Sequence, residues 1–254
     1  NATANTRQLA VNQGNVITPA AAGQVVRIRL RADGGYGNST VLISRDSGAT
    51  WDAPKVCPIN TCLWIEGTTG PNSPADFEIE GDASQTGALF RRFAGRMTVG
   101  GSNDGMITGN IYYQDEGRDL LGIVAKRHLK IRTDETPLET VPTNPVTHIT
   151  AVMMAEDGVF SCSKVFNAAD RIPNLRYFGG YIFQGTVMSG RYNANGTYTD
   201  GTTITTLIPN AYTTSNREFD PKTRNAPPPA FPMLMNINPT SLPGSFNVTY
   251  APVP

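Results

Sequence analysis

At 254 residues the chain can bury a substantial core, as one large unit or two smaller ones. Its 21 basic residues balance 21 acidic ones, for a formal net charge of zero, so it lacks the basic footprint of a nucleic-acid binder. No apolar run approaches the roughly 20 residues of a membrane-spanning helix. The 25 Gly and 19 Pro, with abundant Thr and Asn, favour turns and short strands over helices.

The sequence starts at Asn1 without a methionine, as after removal of a signal peptide or pro-segment or in a late start. Residues 1–24 are polar and weakly apolar by turns. They read as an N-terminal arm, with Leu9, Val11, Val16 and Ile17 able to form an edge strand. Val26 to Arg31 alternates strictly. Period-two geometry puts Val26, Ile28 and Leu30 on one face and Arg27, Arg29 and Arg31 on the other. A turn at Asp33-Gly34-Gly35 ends that strand, and Thr40 to Ser44 forms the next.

Ser44-Arg45-Asp46-Ser47-Gly48-Ala49-Thr50-Trp51 resembles the Asp-box, S-x-D-x-G-x-T-W, of sialidases and related β-propellers. It covers eight residues. In that family the box is structural, lies away from the catalytic site and recurs once per blade, whereas this chain has one copy. The resemblance therefore implies a single β-hairpin with a structural turn built on Asp46, Gly48 and Trp51. Asp46 would accept backbone hydrogen bonds, Gly48 would take a conformation other residues avoid, and Trp51 would pack back over the hairpin.

Cys57 and Cys62 are spaced to close a small disulfide loop in an oxidising compartment; the alternative is two reduced thiols. Cys162 reads as a buried free thiol. Leu63-Trp64-Ile65 is a short strand. Asp76, Glu78, Glu80 and Asp82 stand at alternate positions and share a face, which is either a calcium-binding edge or a solvated face answering the arginines of 27–31. Asp104-Gly105 signals a hairpin between apolar runs. Leu120 to Ile131 fits a short helix or a strand pair, and His128 within it reads as a surface or turn histidine.

The proline-laden stretch 136–145 reads as a linker or crossover between a first β unit, 25–135, and a second, 146–254. In the second unit, Val159 to Phe166, the Thr-rich 193–206 and Ser245 to Tyr250 have strand patterns. Weak similarity between the halves, such as Phe93 to Arg96 with Tyr177 to Tyr181, suggests two similar units.

No catalytic constellation is visible, and no metal or cofactor is called for. There is no G-x-S-x-G elbow, and His128 and His148 are the only histidines. Acids that a glycosidase would need exist at Asp33, Asp46, Asp76, Glu78, Asp104 and Glu156, without a pattern selecting two of them. Arg27, Arg29, Arg31, Arg91, Arg92 and Arg96 could cluster around a carboxylate or line a subunit-facing sheet. Asn1, Asn38, Asn195 and Asn247 fit glycan acceptor patterns in surface loops.

The expectation is an all-β protein of antiparallel sandwich or jelly-roll type with long loops and extended termini. Its expected role is non-enzymatic: a structural subunit of a virion, as capsid, decoration or fibre protein, in a symmetric self-assembly with other structural proteins. The alternatives are a secreted or cell-surface pilus or adhesin subunit, and an Asp-box carbohydrate-binding or glycosidase-like protein.

Overall fold

The computed structural model describes residues 2–67, 76–132, 145–158, 160–162, 172–183 and 212–231. Alternation recurs along the chain, but the strands it makes run parallel. They are β1 (Val16–Ile17), β2 (Val26–Arg31), β3 (Ser39–Ser44), β4 (Lys55–Cys57), β5 (Thr61–Ile65), β6 (Phe77–Gly81), β7 (Arg92–Phe93) and β8 (Arg96–Gly101). Then come β9 (Gly105–Ile107), β10 (Tyr112–Tyr113), β11 (Leu120–Ala125), β12 (Leu129–Ile131), β13 (His148–Ala155), β14 (Phe160–Cys162), β15 (Ile172–Phe183) and β16 (Tyr212–Phe219). Sheet A has the order β1-β5-β8-β11-β13-β15-β16, and sheet B the order β14-β12-β9-β6-β2-β3-β4. Successive strands alternate between the sheets, as in β5 to β6, β8 to β9 and β11 to β12, so the chain winds in stacked coils. The pair β7 and β10 adds a third side to two of these coils.

Every pairing in sheet A is parallel. In sheet B only β2–β3 and β3–β4 are antiparallel. The antiparallel sandwich or jelly roll expected from the sequence is thus replaced by a parallel solenoid carrying, among the described residues, one α-helix. The reason lies in the turns. Ser102-Asn103-Asp104, Lys126-Arg127-His128 and Glu156-Asp157-Gly158 are corners between the two sheets, not hairpin tips. They stack on one another through backbone bonds from Lys126 N–H to Gly101 O (3.1 Å), Arg127 N–H to Asn103 O (3.0 Å) and Asp157 N–H to Lys126 O (2.9 Å). A Gly/Asp turn permits either geometry. The stretch Leu120 to Ile131 is a strand pair around one such corner.

Parallel stacking places like residues above like. Ile28, Ile79, Ile107, Ile131 and Cys162 form one column through sheet B. Leu63, Val99, Ile123 and Met153 form another through sheet A. All nine are buried in one continuous interior, where each large aliphatic side chain gains roughly 1.5–3 kcal/mol over exposure. The ring of Phe77 crosses from its own coil to the next, where a Cβ at Gly101 or Gly105 would lie 2.5 or 2.4 Å from it. The same core includes residues on both sides of 136–145, and β13 pairs with β11 directly. Of that segment only Pro145 lies among the described residues, as do none of 193–206 and 245–250 and only 160–162 of 159–166.

Residues 2–12 of the expected arm are an α-helix, α1 (Ala2–Asn12), lying on the outer face of sheet A. Ala2, Thr6 and Ala10, one turn apart on one face, are buried. Their small size lets the helix sit close over Gly100, where an added Cβ would lie 3.2 Å from Thr6 Cγ2. Gly14, at φ 66°, ends the helix in the left-handed region. Further along the same face, residues 226–231 pack down through Phe231, and Thr98 Oγ1–H donates to Pro229 O at 2.6 Å. Both segments thus cover an apolar stripe of the chain's own sheet: Cys62 and Trp64, then Leu120, Val124, Val152 and Met154. No helix among the described residues is long and apolar enough to cross a membrane.

Candidate functional site

The outward face of β2 and β6 carries charge at every second residue. Parallel register sets Arg27 beside Glu78 and Arg29 beside Glu80. Arg27 Nε lies 2.7 Å from Glu78 Oε2, and Arg29 Nε 2.9 Å from Glu80 Oε1. At the end of β2, Arg31 meets Asp33 at 2.9 Å and Asp82 at 3.6 Å. Of the two readings for the acidic face, this is the one that answers the arginines. Asp82, fully buried, also accepts from Ser84 N–H at 2.9 Å and Ser84 Oγ–H at 2.8 Å.

The Asp-box-like turn joins β3 to β4 and leans on these arginines. Asp46 accepts from Thr50 Oγ1–H (2.6 Å), Thr50 N–H (2.9 Å) and Ser44 Oγ–H (2.7 Å). These bonds, Thr50's first, hold its carboxyl far below the usual carboxylate range. Ser47 and Gly48 take φ 62° and 95°. A Cβ on Gly48 would lie 2.5 Å from Arg27 Nη1, so the missing side chain is where the Arg27 guanidinium packs. Trp51, half-buried, has the Arg29 guanidinium carbon 4.2 Å from its ring centroid. A cation over indole is a favourable contact. The turn thus braces two arginines of the charged face from one side.

Between them opens a hollow of about 240 Å³. Arg91 enters it from the loop after β6, and Thr108 and Arg132 from residues just past β9 and β12. Arg91 has φ 54°, unusual for a non-glycine residue. Its Nη1 is 3.6 Å from Glu80 Oε2 and makes no hydrogen bond, although the atom is buried. Gly109 leaves the space for this pair, since a Cβ there would lie 2.3 Å from Arg91 Nη1 and 2.6 Å from Glu80 Oε2. Arg132 donates from Nη2 to the neutral carbonyl of Thr108 at 2.9 Å.

The six arginines singled out in sequence do not converge. Arg27, Arg29 and Arg91 line the hollow, and Arg31 lies at its end of β2. Arg92 donates to Tyr113 O, and Arg96 to Pro227 O at 2.9 Å on the sheet A side. Arg132 is absent from the sequence reading, yet it continues the alternation Leu129-in, Lys130-out, Ile131-in past the end of a short strand. The six acids are likewise dispersed. Glu156 pairs with Lys126 at 3.1 Å beside Thr3 of α1, and Asp104 lies in a buried corner with Lys130 at 3.4 Å.

The cysteines are separate thiols. Cys57 belongs to the interior, whereas Cys62 points outward with Ala10 and Trp64, because β5 places Leu63 and Ile65 inside. The structure has them in the reduced alternative, Cys57 facing the interior and Cys62 the outer face of sheet A. Burial pushes their thiols up to about 11 and about 12, and raises that of the fully buried Cys162 too. His148 stacks on Tyr112 at 4.3 Å, with Nε2 3.0 Å from Thr150 Oγ1. Burial first, then Arg176 and Arg92, lowers its pKa to about 4. His128 is a corner residue whose N–H donates to Asp104 at 3.1 Å. Asn38 is exposed in the loop between β2 and β3, and Asn1, Asn195 and Asn247 lie outside the described residues.

The fold and site define a parallel β-solenoid with a braced, arginine-lined face. No family model, curated protein or solved structure matches the chain. The jelly roll expected together with the capsid role is replaced by parallel sheets.

Proposed function

We propose that the chain is a non-enzymatic structural subunit that self-associates through the exposed strand β16 into an extended, fibre-like assembly. The observation that carries this reading is β16. Among the described residues it is the last strand of sheet A, and sheet A extends beyond sheet B at that end. Residues Thr213 to Arg217 are all exposed along it. Side chains exposed along a long strand are open to contact with another copy. A non-catalytic role is supported by the ion pairs that tie Glu78 and Glu80 to arginines. α1 and residues 226–231, by contrast, cover the chain's own sheet.

Sedimentation velocity over a concentration series tests the proposal. The wild-type chain should assemble. Thr213→Lys with Ser215→Lys, which adds like charges to an exposed strand, should leave monomers with unchanged circular dichroism. A wild type that stays monomeric at several hundred micromolar sinks the idea.

A further inference from the structure

We infer that the hollow on the outer face of sheet B binds an oxyanion group, a carboxylate, sulfate or phosphate, as a free anion or as part of a small ligand. The inference is independent of self-assembly. It rests first on a local charge imbalance. Among the described residues, Arg27, Arg29, Arg91 and Arg132 line the hollow against two acids, Glu78 and Glu80. Glu78 is engaged by Arg27, and Glu80 is shared between Arg29 at 2.9 Å and Arg91 at 3.6 Å. Arg132 has a neutral carbonyl as its hydrogen-bond acceptor. The described lining of the hollow therefore carries an excess of positive charge in a protein whose formal net charge is zero.

A second observation points the same way. Arg91 Nη1 is shielded from solvent and makes no hydrogen bond, with its side chain only 12 % exposed. Buried donors are rarely left without an acceptor, and those that are call for an explanation such as an absent ligand. A guanidinium presents its donors in a planar fork that matches the oxygens of a carboxylate, sulfate or phosphate. The site is also built rather than incidental. Gly48 seats Arg27, Trp51 seats Arg29, and Gly109 admits Arg91, whose backbone sits in the left-handed region. At about 240 Å³ the hollow is smaller than the roughly 300–1,000 Å³ of drug-sized pockets. It suits a single sugar acid or an inorganic dianion.

Isothermal titration at low salt, with sodium sulfate, sodium glucuronate and glucose as separate titrants, tests the inference. Sulfate and glucuronate should each bind saturably, and glucose should not. Tighter binding of glucuronate would place the oxyanion on a saccharide, whereas tighter binding of sulfate would make the ligand a free anion. Arg132→Gln should weaken anion binding at least tenfold with its thermal unfolding unchanged. Arg118→Gln, which alters a surface cation away from the hollow, should leave binding as it was. Failure of both anions to saturate the wild type overturns the inference. So does retained affinity in Arg132→Gln, or an equal loss in Arg118→Gln.

Discussion

Replacing Asp104 by alanine should strip the stacked corners of their central charge. Asp104 is 3 % exposed. Its Oδ2 lies 3.4 Å from Lys130 Nζ, and its Oδ1 lies 3.5 Å from Arg127 Nε and accepts the His128 N–H at 3.1 Å. Lys130 is itself 3 % exposed. Alanine leaves that ammonium buried beside an empty position, and breaking one side of a buried pair costs about 3–5 kcal/mol. The lost bond to His128 N–H adds about 1 kcal/mol. Against a total stability of about 5–15 kcal/mol, the variant should be severely weakened. In urea, with a slope near about 3 kcal/mol/M, the midpoint should fall by more than about 1 M. Lys130→Met in the same chain removes the stranded charge, so the double variant should recover at least about 2 kcal/mol. Equilibrium urea unfolding followed by tryptophan fluorescence measures both. A single-variant loss under about 1 kcal/mol, or strict additivity in the double variant, would refute the reasoning.

The lowered pKa of His148, about 4 against an ordinary 6.5, makes stability depend on acid. Above 6.5 the ring is neutral in both states and its contribution is complete. As pH falls from 6.5 toward 4 only the unfolded chain takes the proton, so stability drops, by about 1–3 kcal/mol after allowance for solvent screening. His148→Gln should flatten that part of the pH–stability curve, and an unchanged slope would count against the assignment. The separated thiols predict that Ellman's reagent, added without reductant, finds all three of Cys57, Cys62 and Cys162 in denaturant. At pH 8 the folded protein should react slowly at each of them. A count of one in denaturant would restore the Cys57–Cys62 bridge.

Some of this molecule was legible residue by residue. Alternation in Val26 to Arg31 and in Phe77 to Glu80 places the aliphatic residues inside and the charges outside, and opposite charge pairs the two strands in the observed register. The bonding of Asp46 and the left-handed Gly48 follow from the eight residues 44–51, whereas Trp51 lies against Arg29 of β2 on the outer face. α1 was not legible, because the face it buries is Ala2, Thr3, Thr6 and Ala10 rather than large apolar residues, so no hydrophobic stripe announces it. Arg132 and Thr108 escaped because β9 and β12 are three residues long, too short for their alternation to register.

The sequence by itself determined which side chains face the interior, since a period of two leaves a β residue only two directions to point. Strand direction was decided by the tertiary structure alone. Inward and outward alternation is the same whether a neighbour runs parallel or antiparallel, and a turn such as Asn103-Asp104-Gly105 can reverse a strand or carry it round a corner. Only the stacking of coil on coil chooses. It sets isoleucine over isoleucine through sheet B and brings Arg29, Arg91 and Arg132 from three separate coils to one hollow.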